Sequence, residues 1–259
     1  MVGTFTIALP TSLTGFAPDL TVTSASVDWR EVIEGEDGPR RDYVIRVPDF
    51  IFDVTRRVND ETAYRINSDG TLSCADGPPE PGCIAIVLES PHKDEFDGQG
   101  GRALGPLRSP AVRLQMQKHL PHLIATVQQR LGRPLVGRSI ALVNAVQYQA
   151  SLHAIMRDFK GKLRGGVRTL IWKRIFREGG AAEFDVRLNG YNPYVVLLAT
   201  TGVVRSNVRT LIASETRRWS WGEVNYHPSY WGRSAPQLRG QFRRGSSSEP
   251  RQYPSWPPA

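Results

Sequence analysis

Apolar and polar positions follow three different rhythms along the chain. In residues 1–80 the apolar stretches are short and rich in Thr, Val and Ile: TFTIALP, LTVTSASV and DYVIRV, punctuated by EGEDGP and NSDG. Runs of β-branched residues between turn-forming clusters predict short strands. CADGPPEPG then reads as a Pro/Gly linker. In residues 81–235 the rhythm changes to continuous apolar runs, CIAIVLES, SIALVNAV and PYVVLLATTG, followed by a shorter EVNY. A run without alternation suits a strand buried on both faces, as in a parallel sheet covered by helices. Between the first two runs, SPAVRLQMQKHLPHLIATVQQRLG has a Ser-Pro start, apolar residues at helical spacing and a glycine stop, which predicts a helix. Residues 236–259 are basic and low in complexity, and a disordered or surface-draped tail is expected there.

The fold class that follows is α/β. A central, mostly parallel four-stranded sheet flanked by helices is expected over residues 81–235, with a β-rich extension over 1–80 and a Pro/Ser-rich tail over 236–259. In such sheets ligands bind outside the carboxyl ends of the strands. Polar residues follow each apolar run there: ESPHKDEFDGQGGRALG after the first, Asn144 at the end of the second, TTGVVRSN after the third and HPSYWGRS after the fourth.

Composition narrows the function classes. A chain of 259 residues can bury a full core without disulfides. Its two cysteines, Cys74 and Cys83, are too few for a disulfide framework, a zinc knuckle or an iron–sulfur cluster, and reduced thiols in a cytoplasmic protein are expected. MVGTFTIALP lacks the basic start and long apolar run of a signal peptide, and no segment has the length of a membrane span. The net charge is +8, and the segment Arg157 to Arg177 alone holds eight basic residues and one acid. Such a block suits a polyanion, nucleic acid first, or else a solvated helix face. His119 and His122 lie three apart on the expected helix with Pro121 between them and no acid nearby, so surface positions rather than a metal site are expected.

The four rim segments together resemble the uracil-DNA glycosylase superfamily, over roughly residues 83 to 235. LESPHKDEF followed by GRALG has the shape of that family's first motif, ALVNAV ends in its Asn, LLATTG loosely matches its third motif, and NYHPSYW closely matches its His-Pro-Ser motif. The resemblance implies a monofunctional DNA glycosylase that acts on DNA as a monomer, without cofactor or metal. It implies that Asn144 bonds the edge of a flipped pyrimidine and that His227 steadies the departing base. Glu89 stands at the family's motif Glu. Tyr230, Trp231 and Arg233 fall in the loop whose tip wedges into the duplex. Lys173 and Arg174, in the basic block, are expected on phosphates. Ser90, Pro91, His92, Phe96 and Leu104 are expected to line the base pocket.

The residue types suit this chemistry. The target base must leave the stack, and the N-glycosidic bond breaks through an oxocarbenium-like state. Negative charge grows on the leaving base, so a donor such as His227 strengthens as the bond breaks. An amide such as Asn144 both donates and accepts. A carboxylate opposes the sugar cation or holds water: Glu89 first, Asp94 and Glu95 next.

The sequence departs from the family pattern at Ser90, which replaces a water-activating Asp, and at Leu104, where a stacking Phe is usual and for which Phe96 is the substitute. His92 replaces a Tyr that crowds carbon 5 of the pyrimidine. A roomier pocket would admit a bulky phage base such as glucosylated hydroxymethylcytosine, in antiviral defence; a small pocket roofed by Phe96 would take uracil, in repair. Taken singly, each residue also has an ordinary structural reading: His227 as a turn histidine, Asn144 as a loop cap, Glu89 as an arginine's partner, and Tyr230 and Trp231 as core plugs. The alternative function is a catalytically inactive glycosylase-fold module that binds DNA.

Overall fold

The computed structural model describes residues 3–7, 21–23, 50–54, 58–92, 95, 104–147, 169, 172–173, 175–200, 202–214 and 219–245. Strands β1 (Gly3–Ile7), β2 (Thr21–Thr23) and β3 (Phe50–Val54) form a three-stranded sheet, with β3 antiparallel to β1 and parallel to β2. The remaining elements run β4 (Glu61–Ile66), β5 (Leu72–Cys74), β6 (Ile84–Leu88), α1 (Pro110–Leu131), β7 (Ser139–Asn144), α2 (Ala181–Tyr191), β8 (Val195–Leu198), α3 (Gly202–Ser214), β9 (Ser220–Val224) and β10 (Leu238–Arg243). A wide helical turn, Phe176–Gly180, leads into α2.

The chain is α/β, with a mixed seven-stranded sheet in the order β10-β9-β8-β6-β7-β4-β5. The four apolar runs are its centre, β9-β8-β6-β7, and all three of their pairings are parallel. The expected four-stranded sheet is corrected to seven strands, because antiparallel strands cover both edges of the parallel centre. Strands β4 and β5 pair beyond β7, so the sheet draws on residues on both sides of the linker near residue 80. Ala63, Tyr64 and Ile66 of β4 are buried in the main core.

On the other edge β10 pairs antiparallel with β9, where a disordered or draped tail is expected from composition. Its apolar residues are few but well placed. Leu238 and Phe242 pack against the core, and a Cβ at Gly222 would come within 2.7 Å of the Phe242 ring. Gly240, at φ +61°, allows the irregularity in register between Arg239 and Arg243. The remainder of the tail, 246–259, lies outside the described residues.

Helix α1 forms as its sequence signals require. Pro110 opens it, and Gly132, at φ +68°, closes it by donating to the Gln128 carbonyl at 2.8 Å. Its Met116, Leu120, Leu123, Ile124, Val127 and Leu131 are buried over one row of the sheet, which includes Ile84, Ile86, Leu88, Ile140 and Leu142. The opposite row, Ala85, Val87, Ala141, Val143, Val196 and Leu198, is equally buried. Right-handed crossovers place α2 and α3 on that second face, since the chain steps from β6 to β7 in one direction and then back across β6 to β8 and β9. This reversal puts the topological switch point between β6 and β8. No helix among the described residues is long and apolar enough to cross a membrane.

Candidate active site

The parallel strands end level with one another. Leu88 pairs with Asn144, Val87 with Leu198, and Leu198 with Glu223. Glu89 and Ser90, Asn144, Thr200 and the turn that bears His227 therefore share one rim. At about 4.8 Å per strand, this rim spans about 14 Å from β9 to β7. A buried or part-buried side chain fixes the backbone of each loop. Trp172 Nε1 donates to the Glu89 carbonyl at 2.9 Å. Arg187 Nη2 donates to the Asn144 carbonyl at 2.8 Å. Arg205 Nη2 donates to the Thr200 carbonyl at 2.6 Å and the Asn225 carbonyl at 3.2 Å.

Asn144 is the most tightly constrained of these residues. Its backbone N–H donates to Asp60 Oδ1 at 3.0 Å. Asp60 Oδ2 pairs with Arg187 Nη1 and accepts the Tyr191 hydroxyl at 2.9 Å. Burial, and then the Asp60 charge, push the Tyr191 phenol well above its ordinary value, so it stays a neutral donor. The pair fixes the backbone on both sides of the Asn144 side chain. That side chain is 0% exposed, and neither Nδ2 nor Oδ1 has a hydrogen-bond partner among the described residues. A buried polar group left unpaired costs about 1–3 kcal/mol, so both ends of this amide are held ready for a partner.

Glu89 is buried directly after β6, and Pro91 is buried and His92 half-buried beyond it. Ser90 Oγ is buried and unpartnered among the described residues. Glu95 is also buried. Desolvation pushes its carboxyl up to about 8, against opposing hydrogen bonds from the Leu107 and His92 amides. Its Oε1 accepts the Leu107 amide at 3.0 Å, and its backbone carbonyl accepts the Leu104 amide at 2.8 Å. Leu107 has a φ of +50°, unusual for a leucine, and this contact helps hold it. Glu61 closes the same segment through Arg108 at 2.9 Å and Arg113 at 2.6 Å. Glu95 thus braces the loop that leads into α1. Leu104 is 42% exposed. Asp94 and Phe96 lie outside the described residues.

The turn after β9 is closed locally. Asn225 and Gln237 exchange two bonds, at 3.0 and 2.9 Å, where β10 returns. His227 is half-buried and caps the short helical turn Pro228–Tyr230. Its Nδ1 lies 2.9 Å from Ser229 Oγ and accepts the Ser229 amide at 3.3 Å. An accepting Nδ1 puts the proton of the neutral ring on Nε2, the tautomer a base-directed donor requires.

Tyr230 is 51% exposed and Arg233 is exposed at the surface, whereas Trp231 is 1% exposed. Trp231 belongs to the main core and donates from Nε1 to the Tyr226 carbonyl at 3.1 Å. The expectation that Trp231 reaches DNA is therefore corrected: its ring anchors the turn to the core, and the exposed aromatics beside His227 are Tyr226 and Tyr230. Of the basic block, Lys173 and Arg177 are exposed, while Arg174 and residues 157–168 lie outside the described side chains.

Sequence reasoning did not pick out Asp60, Trp172, Arg187, Tyr191, Thr200 or Arg205. Asp60 directly precedes β4 and Arg187 sits on α2, so neither forms a local motif with the rim, whereas Arg205 lies within the TTGVVRSN segment itself. Thr200 did carry a signal, as a polar residue directly after an apolar run. Comparison with protein-family models and with curated proteins gives no match to the chain.

Proposed function

We propose that this chain is a DNA glycosylase that accepts a flipped pyrimidine at the carboxyl rim and hydrolyses its N-glycosidic bond. One observation carries the reading: the Asn144 amide is fully buried, has no partner among the described residues, and stands on a backbone fixed by Asp60 and Arg187. An amide that presents one donor and one acceptor matches the hydrogen-bonding edge of a pyrimidine. The uracil-DNA glycosylase resemblance supports the same assignment, since its Asn and His fall at the ends of β7 and β9.

In this scheme the base leaves with its carbonyl oxygen accepting from His227 Nε2, whose donation strengthens as negative charge develops. Glu89 supplies the carboxylate nearest the end of β6, opposing the sugar cation or holding the attacking water. Tyr230, exposed on the turn, fills the gap left in the duplex, and exposed Lys173 is available to the backbone. The substrate is a bulky modified cytosine or uracil.

Ser90 in place of an acid favours the rival, a module that holds DNA without cutting it. Incubation of the full chain with duplexes containing uracil or glucosylated hydroxymethylcytosine, followed by alkali, separates these readings. Strand breaks at one of the two bases support the glycosylase and name its substrate. DNA binding without breaks in either supports the inactive module.

A further inference from the structure

Resting on the reading of the chain as DNA-binding, we infer that Arg209, Arg239 and Arg243 form a track for the DNA backbone beside the flipped nucleotide, on the α3 side of the sheet edge made by β9 and β10. The strand register brings these residues together. Arg239 pairs with Glu223 and Arg243 with Trp221, so four steps along β10 span only two along β9. Directly paired residues of antiparallel strands share a face of the sheet. Arg239 and Arg243 therefore stand on the face of Glu223 and Trp221, and the Arg243 guanidinium lies 5.3 Å from the centre of the Trp221 ring. Leu238 and Phe242 take the other face and pack against the core that α1 covers. From α3, Arg209 Nη1 reaches Glu223 Oε1 at 3.3 Å.

Charge on this face is one-sided. Arg209, Arg239 and Arg243 are exposed. Glu223 is the one acid among the described residues of α3, β9 and β10, and it is already paired with Arg209. Arg239 and Arg243 have no acid partner among the described residues. Arg205, on the same helix as Arg209, feels the crowding. Burial lowers its guanidinium from the ordinary value, Glu223 opposes that, and the charges of Arg239 and Arg209 add to it. A polyanion relieves like charges gathered in this way.

The placement fits a continuous backbone better than a small anion. Glu223 is level with Leu198 at the end of β8, so Arg239 stands at the rim, two residues past the Gln237 that closes the His227 turn with Asn225. Two steps of β9 put Arg243 about 7 Å farther from the rim. One strand of DNA carries a phosphate about every 3.4 Å of helix axis, so the two arginines span about two nucleotides. The row starts beside the proposed base site and leads away from it, as does a strand that continues past a flipped nucleotide.

The test is the salt dependence of binding to an unmodified duplex, read by fluorescence anisotropy, for the wild-type chain and for Arg239→Gln/Arg243→Gln. Each lost phosphate contact should lower the log–log slope by about 0.9, so between about 50 and 200 mM salt the double variant should lose about tenfold less affinity than the wild type. Lysine at both positions should keep the wild-type slope, because counterion release follows charge. Both side chains are exposed, so the variants are expected to melt near the wild type. Should the double variant unfold, the single substitutions decide, each with about half the change in slope. An unchanged slope overturns the track and leaves the DNA-binding reading standing. Absence of DNA binding by the wild type overturns both. A wild type that binds DNA but releases neither uracil nor glucosylated hydroxymethylcytosine ends the glycosylase reading alone, and a lowered slope in the double variant then still supports the track.

Discussion

Asn144 and His227 end two strands of one sheet, and they are held by opposite means. Asn144 is fixed from far along the chain, by Asp60 before β4 and by Arg187 and Tyr191 on α2. His227 is fixed by its neighbours, with Ser229 on its ring, Trp231 anchoring the turn, and Asn225 and Gln237 closing it. The first arrangement is buried, charged and rigid. The second leaves Tyr226 and Tyr230 at the surface on a small, well-anchored turn. On the proposed reading, the half of the site that would hold the base is built into the core, and the half that would meet DNA stands at the edge. Damage to the first should appear as lost stability together with lost chemistry, and damage to the exposed residues of the second, its buried anchor Trp231 apart, as lost chemistry alone.

The most severe break is expected at Asp60. Asp60→Ala strands the largely buried Arg187 guanidinium and frees the Asn144 backbone N–H, at a cost of about 3–5 kcal/mol. Urea denaturation measures this, and base release should fall with it. A shift under about 1 kcal/mol would mean that the buried pair is not what holds the end of β7.

A similar loss is expected at Trp231, which separates the two tyrosines from their anchor. Trp231→Ala empties a core position at about 3–5 kcal/mol. Tyr230→Ala should stay within about 0.5 kcal/mol of wild type in the same assay. It should nevertheless lose more base release on duplexes than on single strands, because only the duplex has a gap to fill. Equal losses on both substrates would give Tyr230 a packing role.

The same contrast explains what the sequence disclosed. The four central strands, α1 and the His-Pro-Ser turn were legible because each is written in consecutive residues: unbroken apolar runs, a Ser-Pro start with a Gly stop, a histidine before a proline. The β10 strand was hidden by its two arginines and its glycine. What makes it a strand is Leu238 and Phe242 meeting the core and Gly222, a contact between distant segments. The Asp60–Arg187–Asn144 arrangement was hidden for the same reason, as its members lie 84 and 43 residues apart along the chain. Trp231 was misread because an aromatic beside an exposed tyrosine looks alike whether it faces solvent or core.

A smaller effect is expected at Glu95, on the brace behind the rim. Its folded value, about 8, lies above the ordinary 4.5. The protonated carboxyl is therefore favoured by folding. Its contribution is fully present below pH 4.5 and is lost as pH rises toward 8. Glu95→Gln should flatten the decline in stability across that window. Chemical denaturation at several pH values checks this, and an unchanged slope would assign the decline to other groups.

The central claim, that the rim releases a base, is tested most directly by chromatography of the free base from duplexes containing uracil or glucosylated hydroxymethylcytosine. The wild-type chain and His227→Ala are compared, with both shown to be folded. The expected result is free base from one duplex with the wild type, and release about two to four orders of magnitude slower with His227→Ala at similar DNA affinity. Release at the same rate from both proteins would remove His227 from the chemistry, and no base from either duplex with the wild type would contradict the account.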